Sequence, residues 1–139
     1  MNYMDLLKVI NSGMYAQRKR IDLIATNLAN METLKTEKGM PYRRKMMIMK
    51  SEPMDDFDSI LSLEMVKIDE IVEDKTPFKR VYQPSHPYAD KDGYVLKPNV
   101  DPIVEITNLM ISRTAYEANV TAFKITKEMI LKALEIGSK

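Results

Sequence analysis

The chain of 139 residues has no cysteine and no tryptophan, one histidine, three phenylalanines and four glycines. Without cysteine there are no disulfides and no thiolate metal sites. With one histidine a multi-imidazole zinc site is excluded, and any His-based catalytic triad would have to run through His86. No glycine-rich phosphate loop and no Gly-x-Ser-x-Gly elbow occur. Few large aromatics leave few bulky core anchors, and twelve methionines supply adaptable packing instead. No run of about 18 apolar residues exists, so no membrane span is expected. The opening stretch MNYMDLLKVINSGMYAQRKR lacks the basic start and small-residue cleavage site of a secretory signal. Export, if it occurs, is expected to use another route.

Net charge is +1, but it is segregated along the chain. Residues 1–50 carry ten Lys/Arg against four Asp/Glu, and residues 51–74 carry one against nine. Such alternation favours contact between segments or subunits, whereas a nucleic-acid footprint needs a basic excess. The run Arg43-Arg44-Lys45 is accordingly read as an electrostatic partner of the acidic 52–74 stretch, and no nucleic-acid partner is expected.

The periodicity predicts a helix over residues 3–31. Leu7, Ile10, Met14, Gln17, Ile21, Ile24, Leu28 and Met31 alternate steps of three and four, and seven of these eight are apolar. Lys8, Arg18, Lys19 and Asp22 mark the opposite, solvated face. ETLKTEKGMPY (32–42) reads as a loop, because Gly39 and Pro41 break any helix. Residues 43–50 read as a short strand and 51–59 as an acidic linker or turn; for 63–74 the even spacing of Val66, Ile68 and Val72 favours a strand over a short helix, which the composition also allows. Five Pro/Gly residues between Thr76 and Pro98 leave room only for short strands near Val81–Tyr82 and Tyr94–Leu96. The last helix has a capping Asp101, a Pro102 suited to its first position, and Gly137 at its end.

The expected fold class is therefore mainly α: two long terminal helices pairing as an antiparallel coiled coil, with a small irregular β-rich middle segment. The divisions are 1–31, 32–100 and 101–139, with the two helices forming one domain. HPYADKDG (86–93) fails as a calcium loop, since placing Gly93 at the sixth position puts Tyr88 at the first and Asn99 at the twelfth. It reads as a Pro/Asp/Gly turn. Asn119-Val120-Thr121 has the form of a glycosylation acceptor but falls mid-helix. No metal, cofactor or catalytic residue is expected.

The last helix is apolar over more of its circumference than one partner helix covers. Ala115, Ala118, Ala122, Ile125, Met129 and Ile136 line one seam, interrupted by Lys132. Tyr116, Phe123 and Ile130, flanked by Val120 and Leu134, line another. Such a helix has neighbours on more than one side, and small residues permit close approach.

IDLIATNLANMETLKTEKGMPYRRK (21–45), with Asn27, Leu28, Ala29, Asn30 and Thr33 at its core, resembles the N-terminal signature of bacterial flagellar rod and hook proteins. HPYADKDGYVLKPNVDPIVE (86–105) and SRTAYEANVTAFKITKEMILKALEIG (112–137) are similar to proximal rod subunits of that family. Matching positions include His86, Pro87, Gly93, Pro98, Asn99, Glu105, Arg113, Tyr116, Glu117 and Asn119; Ile106, Thr114 and Ile125-Thr126 depart from the common pattern. The resemblance implies a structural subunit of the rod, in the basal body across the periplasm, that stacks helically with other rod proteins to transmit torque. It implies terminal helices around a central channel, transit through the flagellar type III export apparatus, and no catalysis. On that basis Leu7, Ile10, Met14, Ile21, Ile24, Leu28, Ala115, Ala118, Ala122, Phe123, Ile125, Met129 and Ile130 are expected to be packing and assembly residues, and Asn27, Asn30 and Asn119 polar pins. The competing reading is a soluble coiled-coil adaptor that bridges protein partners.

Overall fold

A computed structural model describes residues 3–54 and 63–137. Helix α1 runs Tyr3–Ala29 and helix α2 runs Pro102–Gly137. Between them lie strands β1 (Lys45–Pro53), β2 (Glu64–Glu73), β3 (Lys79–Tyr82) and β4 (Tyr94–Lys97). At about 1.5 Å per residue the helices are about 40 and 54 Å long. The expected long helix, β-containing middle and long helix are all found. The last of the expected acidic linker, residues 55–59, lies outside the described residues, and β1 continues through Pro53.

The start of α2 follows from its first residues. The Asp101 carboxylate accepts the Ile103 N–H at 3.0 Å, and the Asp101 carbonyl accepts the Glu105 N–H at 3.0 Å. This satisfies a donor that a helix N-terminus leaves orphaned. At the end of α1, Asn30 turns the chain. Its amide donates to the Thr26 carbonyl at 2.9 Å, and its side-chain oxygen accepts the Thr33 hydroxyl at 3.2 Å.

The strands form two ribbons, β1–β2 and β3–β4. Across the first, Lys50 pairs with Asp69 at 2.6 Å and Glu52 with Lys67 at 3.0 Å. One partner number rises as the other falls, so the strands run antiparallel. The second is antiparallel with Val81 opposite Val95 and Tyr82 opposite Tyr94. The turn joining β3 and β4 is built by the residues that suggested a cation. Asp90 Oδ1 accepts the N–H groups of Asp92 (2.9 Å) and Tyr94 (2.8 Å), and His86 Nδ1 accepts that of Tyr88 (3.1 Å). Gly93 has φ +81°, a left-handed conformation, and a Cβ there would stand 2.9 Å from the Tyr82 ring. Both facts require glycine.

Packing divides the chain into two compact units. The first comprises residues 1–21, 48–70 and 110–139, the second residues 22–47 and 71–109. In the first, Ala16 is fully buried, and Gly13 lies against Asn119, whose amide nitrogen would be 3.1 Å from an added Cβ. Ser12 Oγ accepts the Val66 N–H at 3.1 Å, tying α1 to β2. In the second, Ile24, Tyr42, Val95, Pro98 and Val100 are buried around a polar cluster.

Candidate assembly surface and its buried polar anchor

The second unit is held by side chains drawn from five stretches of sequence. Asn27, near the end of α1, is 1% exposed and uses its full hydrogen-bonding capacity. Its amide donates to the Lys45 carbonyl (2.9 Å) and to Glu105 Oε2 (3.0 Å), and its oxygen accepts the Tyr42 hydroxyl (2.9 Å) and the Lys45 N–H (3.0 Å). Asn27 thereby acts as a strand partner for Lys45, at the first residue of β1. Glu105, fully buried one turn into α2, takes Arg44 Nε on its other oxygen at 2.7 Å. Arg44 also reaches Asp74 at 3.4 Å, and its N–H donates to Asn99 Oδ1 at 2.8 Å. Asn99 in turn donates to the carbonyls of Asp74 and Thr76 and to the Thr76 hydroxyl.

Arg44 therefore meets the acidic segment as its sequence suggested, through Asp74. Arg43 does something else: its guanidinium caps the carbonyls of Asp74 and Thr76 at 2.9 Å each and stacks 4.3 Å from the Phe78 ring centre. The cluster contains no nucleophile set against a base. Among the described residues no group of His, Cys, Asp and Glu has the size of a metal site.

Two groups in the cluster are electrostatically perturbed. The Asp74 carboxyl is held below the usual carboxylate range, chiefly by the Thr76 N–H that it accepts at 2.9 Å, with smaller help from the Thr76 hydroxyl and Arg44 and against a burial penalty. The Tyr42 phenol is pushed above its ordinary value, first by burial and then by the charges of Glu105 and Glu73. A raised phenol pKa means that the folded state prefers the neutral form. The stability this confers is complete below the unfolded pKa of about 10 and is lost as pH rises through the folded one. Tyr42→Phe is expected to cost about 1 kcal/mol near neutrality. The gap from the unsubstituted chain should then shrink above about pH 10. Urea titrations from about pH 8 to 11 read this directly; a gap that stays constant with pH would remove Tyr42 as its cause.

Along α2 the buried positions are polar, and the apolar side chains on the inward side, Tyr116 and Phe123 among them, are half-buried. Glu105, Ser112 and Thr126 are buried, and Asn119, in the same seven-residue column, is half-buried. One residue earlier on the helix, Val104, Ile111, Ala118 and Ile125 form a column that is exposed throughout, with Ile111 56% and Ile125 52% accessible. Beside it runs a column of threonines, Thr107, Thr114 and Thr121. Each hydroxyl donates to the carbonyl four residues back, at 2.8, 3.0 and 3.0 Å. With the hydroxyls bonded to their own helix, these threonines add methyl groups to the face. Val104, Thr107, Ile111, Thr114, Ala118, Thr121 and Ile125 thus repeat at alternating steps of three and four, the spacing of a coiled-coil seam. Ile103 and Met110 widen it at 76% and 66% exposure. Beyond Ile130 every described residue to Gly137 is exposed, including Leu131, Leu134 and Ile136.

Three relatives decide the family. A flagellar basal-body rod protein FlgC from Bacillus subtilis is 45% identical, over 94% of this chain and 95% of its own. The FlgC of Buchnera aphidicola subsp. Schizaphis graminum is 40% identical over 99% of both chains, and that of Aquifex aeolicus 37% identical over 97% of both. The chain belongs to the FlgC family of flagellar basal-body rod proteins. The family model for the C-terminal region of flagellar basal body rod FlgEFG proteins matches residues 91–136, from the β3–β4 turn nearly to the end of α2.

Within this FlgC-family chain the motif residues separate by environment. Asn27 and Asn99 are network hubs, Asn30 and Thr33 shape the chain after α1, and His86, Pro87 and Gly93 lie in the turn between β3 and β4. Pro98 is fully buried beside Asn99. Arg113 and Glu117 pair with each other at 2.8 Å on the exposed side of α2. Asn119 lies against Gly13, and Tyr116 and Leu28 are half-buried, while Ala29 is exposed. Of the expected packing residues, Ile24 is buried and Leu7, Ile10, Met14, Ile21, Leu28, Ala115, Ala122, Phe123 and Ile130 are half-buried. Ala118, Ile125 and Met129 face solvent. Sequence periodicity did not single out Tyr42, Arg44, Asp74 or Glu105 as one cluster. The usable signal was the charge segregation that set Arg44 against the acidic 52–74 stretch, and it did not reach Tyr42 or Glu105.

Proposed function

We propose that this chain is a structural subunit of the proximal rod of the bacterial flagellar basal body. The observation that carries the reading is the uncovered coiled-coil seam on α2, from Val104 to Ile125. A helix that keeps a continuous apolar column exposed, in addition to the residues packed against its own fold, is built to be covered by neighbours. Related rod subunits are the neighbours the family suggests. Contacts of head-to-tail type that do not close a ring propagate into a helical filament, which suits a shaft that carries torque around an export channel.

The antiparallel coiled coil of α1 and α2 belongs to the same proposal. Gly13 meeting Asn119 within the first unit and, separately, Asn27 meeting Glu105 within the second support pairing of the two helices. Transit through the flagellar type III export apparatus, placement across the periplasm and the assembly roles of the seam residues are likewise inferred. No helix among the described residues is long and apolar enough to cross a membrane. The adaptor reading draws no support from the relatives above, whose names are those of rod proteins.

Deleting the gene from its host and examining purified basal bodies tests the proposal. Rods are expected to be absent and swimming lost, with both restored by the gene in trans. Swimming cells with intact rods would end it.

A further inference from the structure

Internal pairing consumes much of the segregated charge described above. Arg44, Lys38, Lys50 and Lys67 bond Asp74, Glu73, Asp69 and Glu52 respectively. In the first unit, however, charges of both signs are left over. Arg18 and Lys19 stand exposed on α1 and Arg20 is half-buried, and none has an ion-pair partner among the described residues. Tyr15, 56% exposed, flanks them, with the Lys19 ammonium 5.7 Å from its ring centre. On the β1–β2 ribbon, Glu64 and Glu70 are exposed and also have no ion-pair partner among the described residues.

We propose that the Arg18–Lys19 patch of α1 is a docking site for the acidic β1–β2 ribbon of a second copy of this chain. The two surfaces have opposite sign, and within one copy their charges are not joined although both belong to the same unit. Opposite patches on one molecule that stay unpaired are complementary between molecules, and such complementarity fixes register and speeds encounter. The contact is heterologous: one copy's helix meets another copy's ribbon, so each copy keeps a free patch of each sign and the interface can propagate. Tyr15 supplies an aromatic surface beside the cations, as protein interfaces favour. The inference rests on reading the chain as an assembling subunit, and it names which surfaces meet.

The experiment is sedimentation of the full chain at low salt with charge-reversed pairs. Arg18→Glu with Lys19→Glu makes both surfaces acidic, and Glu64→Lys with Glu70→Lys makes the ribbon basic. Each double variant alone is expected to lose self-association by about tenfold or more, and high salt should do the same to the unsubstituted chain. An equimolar mixture of the two variants is expected to associate again, as is the chain carrying all four changes. A mixture that stays monomeric, double variants that associate like the unsubstituted chain, or an unsubstituted chain that is monomeric at low salt would each overturn the proposal. All four residues are exposed, so the variants are expected to fold, which circular dichroism checks. The rod reading fails by a different result, swimming after gene deletion.

Discussion

Glu105→Ala is expected to remove about 3–5 kcal/mol of folding stability, a large part of the 5–15 kcal/mol typical of a domain. The carboxylate is fully buried and its two oxygens serve different partners, Arg44 at 2.7 Å and Asn27 at 3.0 Å. Its removal leaves the guanidinium, 19% exposed, without its closest counter-charge, and leaves an Asn27 N–H unpaired in the interior. Both losses are of the expensive kind, since Asn27 is buried and Arg44 is mostly so, with only the longer contact to Asp74 remaining to it. Glu105→Gln separates shape from charge. It keeps an acceptor for one partner but turns a donor toward the other, so about half the loss is expected to remain. Asn27→Ala should approach the Glu105→Ala value, because it strips partners from Tyr42, Lys45 and Glu105 together. Urea unfolding followed by far-ultraviolet circular dichroism gives all three numbers. A Glu105→Ala loss under about 1 kcal/mol would mean that the cluster rearranges around the gap.

Ile111→Glu, Ala118→Glu and Ile125→Glu are expected to do the opposite: leave the isolated subunit intact and abolish assembly. These side chains already face solvent, so a charge there costs the monomer no more than about 0.5 kcal/mol. In a covered seam the same charge would be desolvated without a partner, at several kcal/mol for each contact formed. Because a rod repeats each contact along its length, one substitution is multiplied. Plasmids carrying each variant in the deletion strain should give normal protein levels, no rods in purified basal bodies and no swimming. Thr114→Val makes the matched control. It replaces a hydroxyl that already bonds its own helix at 3.0 Å by a second methyl group, so the apolar seam is kept and swimming should persist. Rods formed by the three charged variants would show that this seam is not an assembly surface.

The two variant sets divide the molecule by chemistry, and the sequence disclosed the halves unequally. Helix α2 was readable because Asp101, Pro102 and Gly137 mark its ends with local chemistry, and a long interruption-free run lies between them. The strands of 79–82 and 94–97 were readable because proline and glycine left nothing else. Glu105 was not readable as a buried residue. A carboxylate in the first turn of an amphipathic helix normally favours solvent and the helix dipole. What buries it is Arg44, which precedes it by 61 residues, and Asn27, which precedes it by 78. No local window contains those partners. The periodicity likewise identified two apolar seams on α2 without showing which would face out. That depended on the polar column at Ser112, Asn119 and Thr126 being the one turned toward its own unit.

That allocation has a calorimetric consequence. Heat capacity rises on unfolding mainly through newly exposed apolar surface, and falls with exposed polar surface. Among the described residues the buried apolar side chains are few and mostly modest in size, Ala16, Ile24, Val95 and Val100 among them, while buried positions such as Glu105, Asn27 and Ser112 are polar. Unfolding of the lone subunit should therefore carry a small heat-capacity increment for its length and a shallow stability curve with temperature. The apolar seam of α2 adds its own decrement only when a neighbour covers it. Under the proposed assembly, the thermal signature that most proteins acquire while folding would be deferred to polymerisation, and the finished filament, not its subunit, would be the body with a sharply temperature-dependent stability.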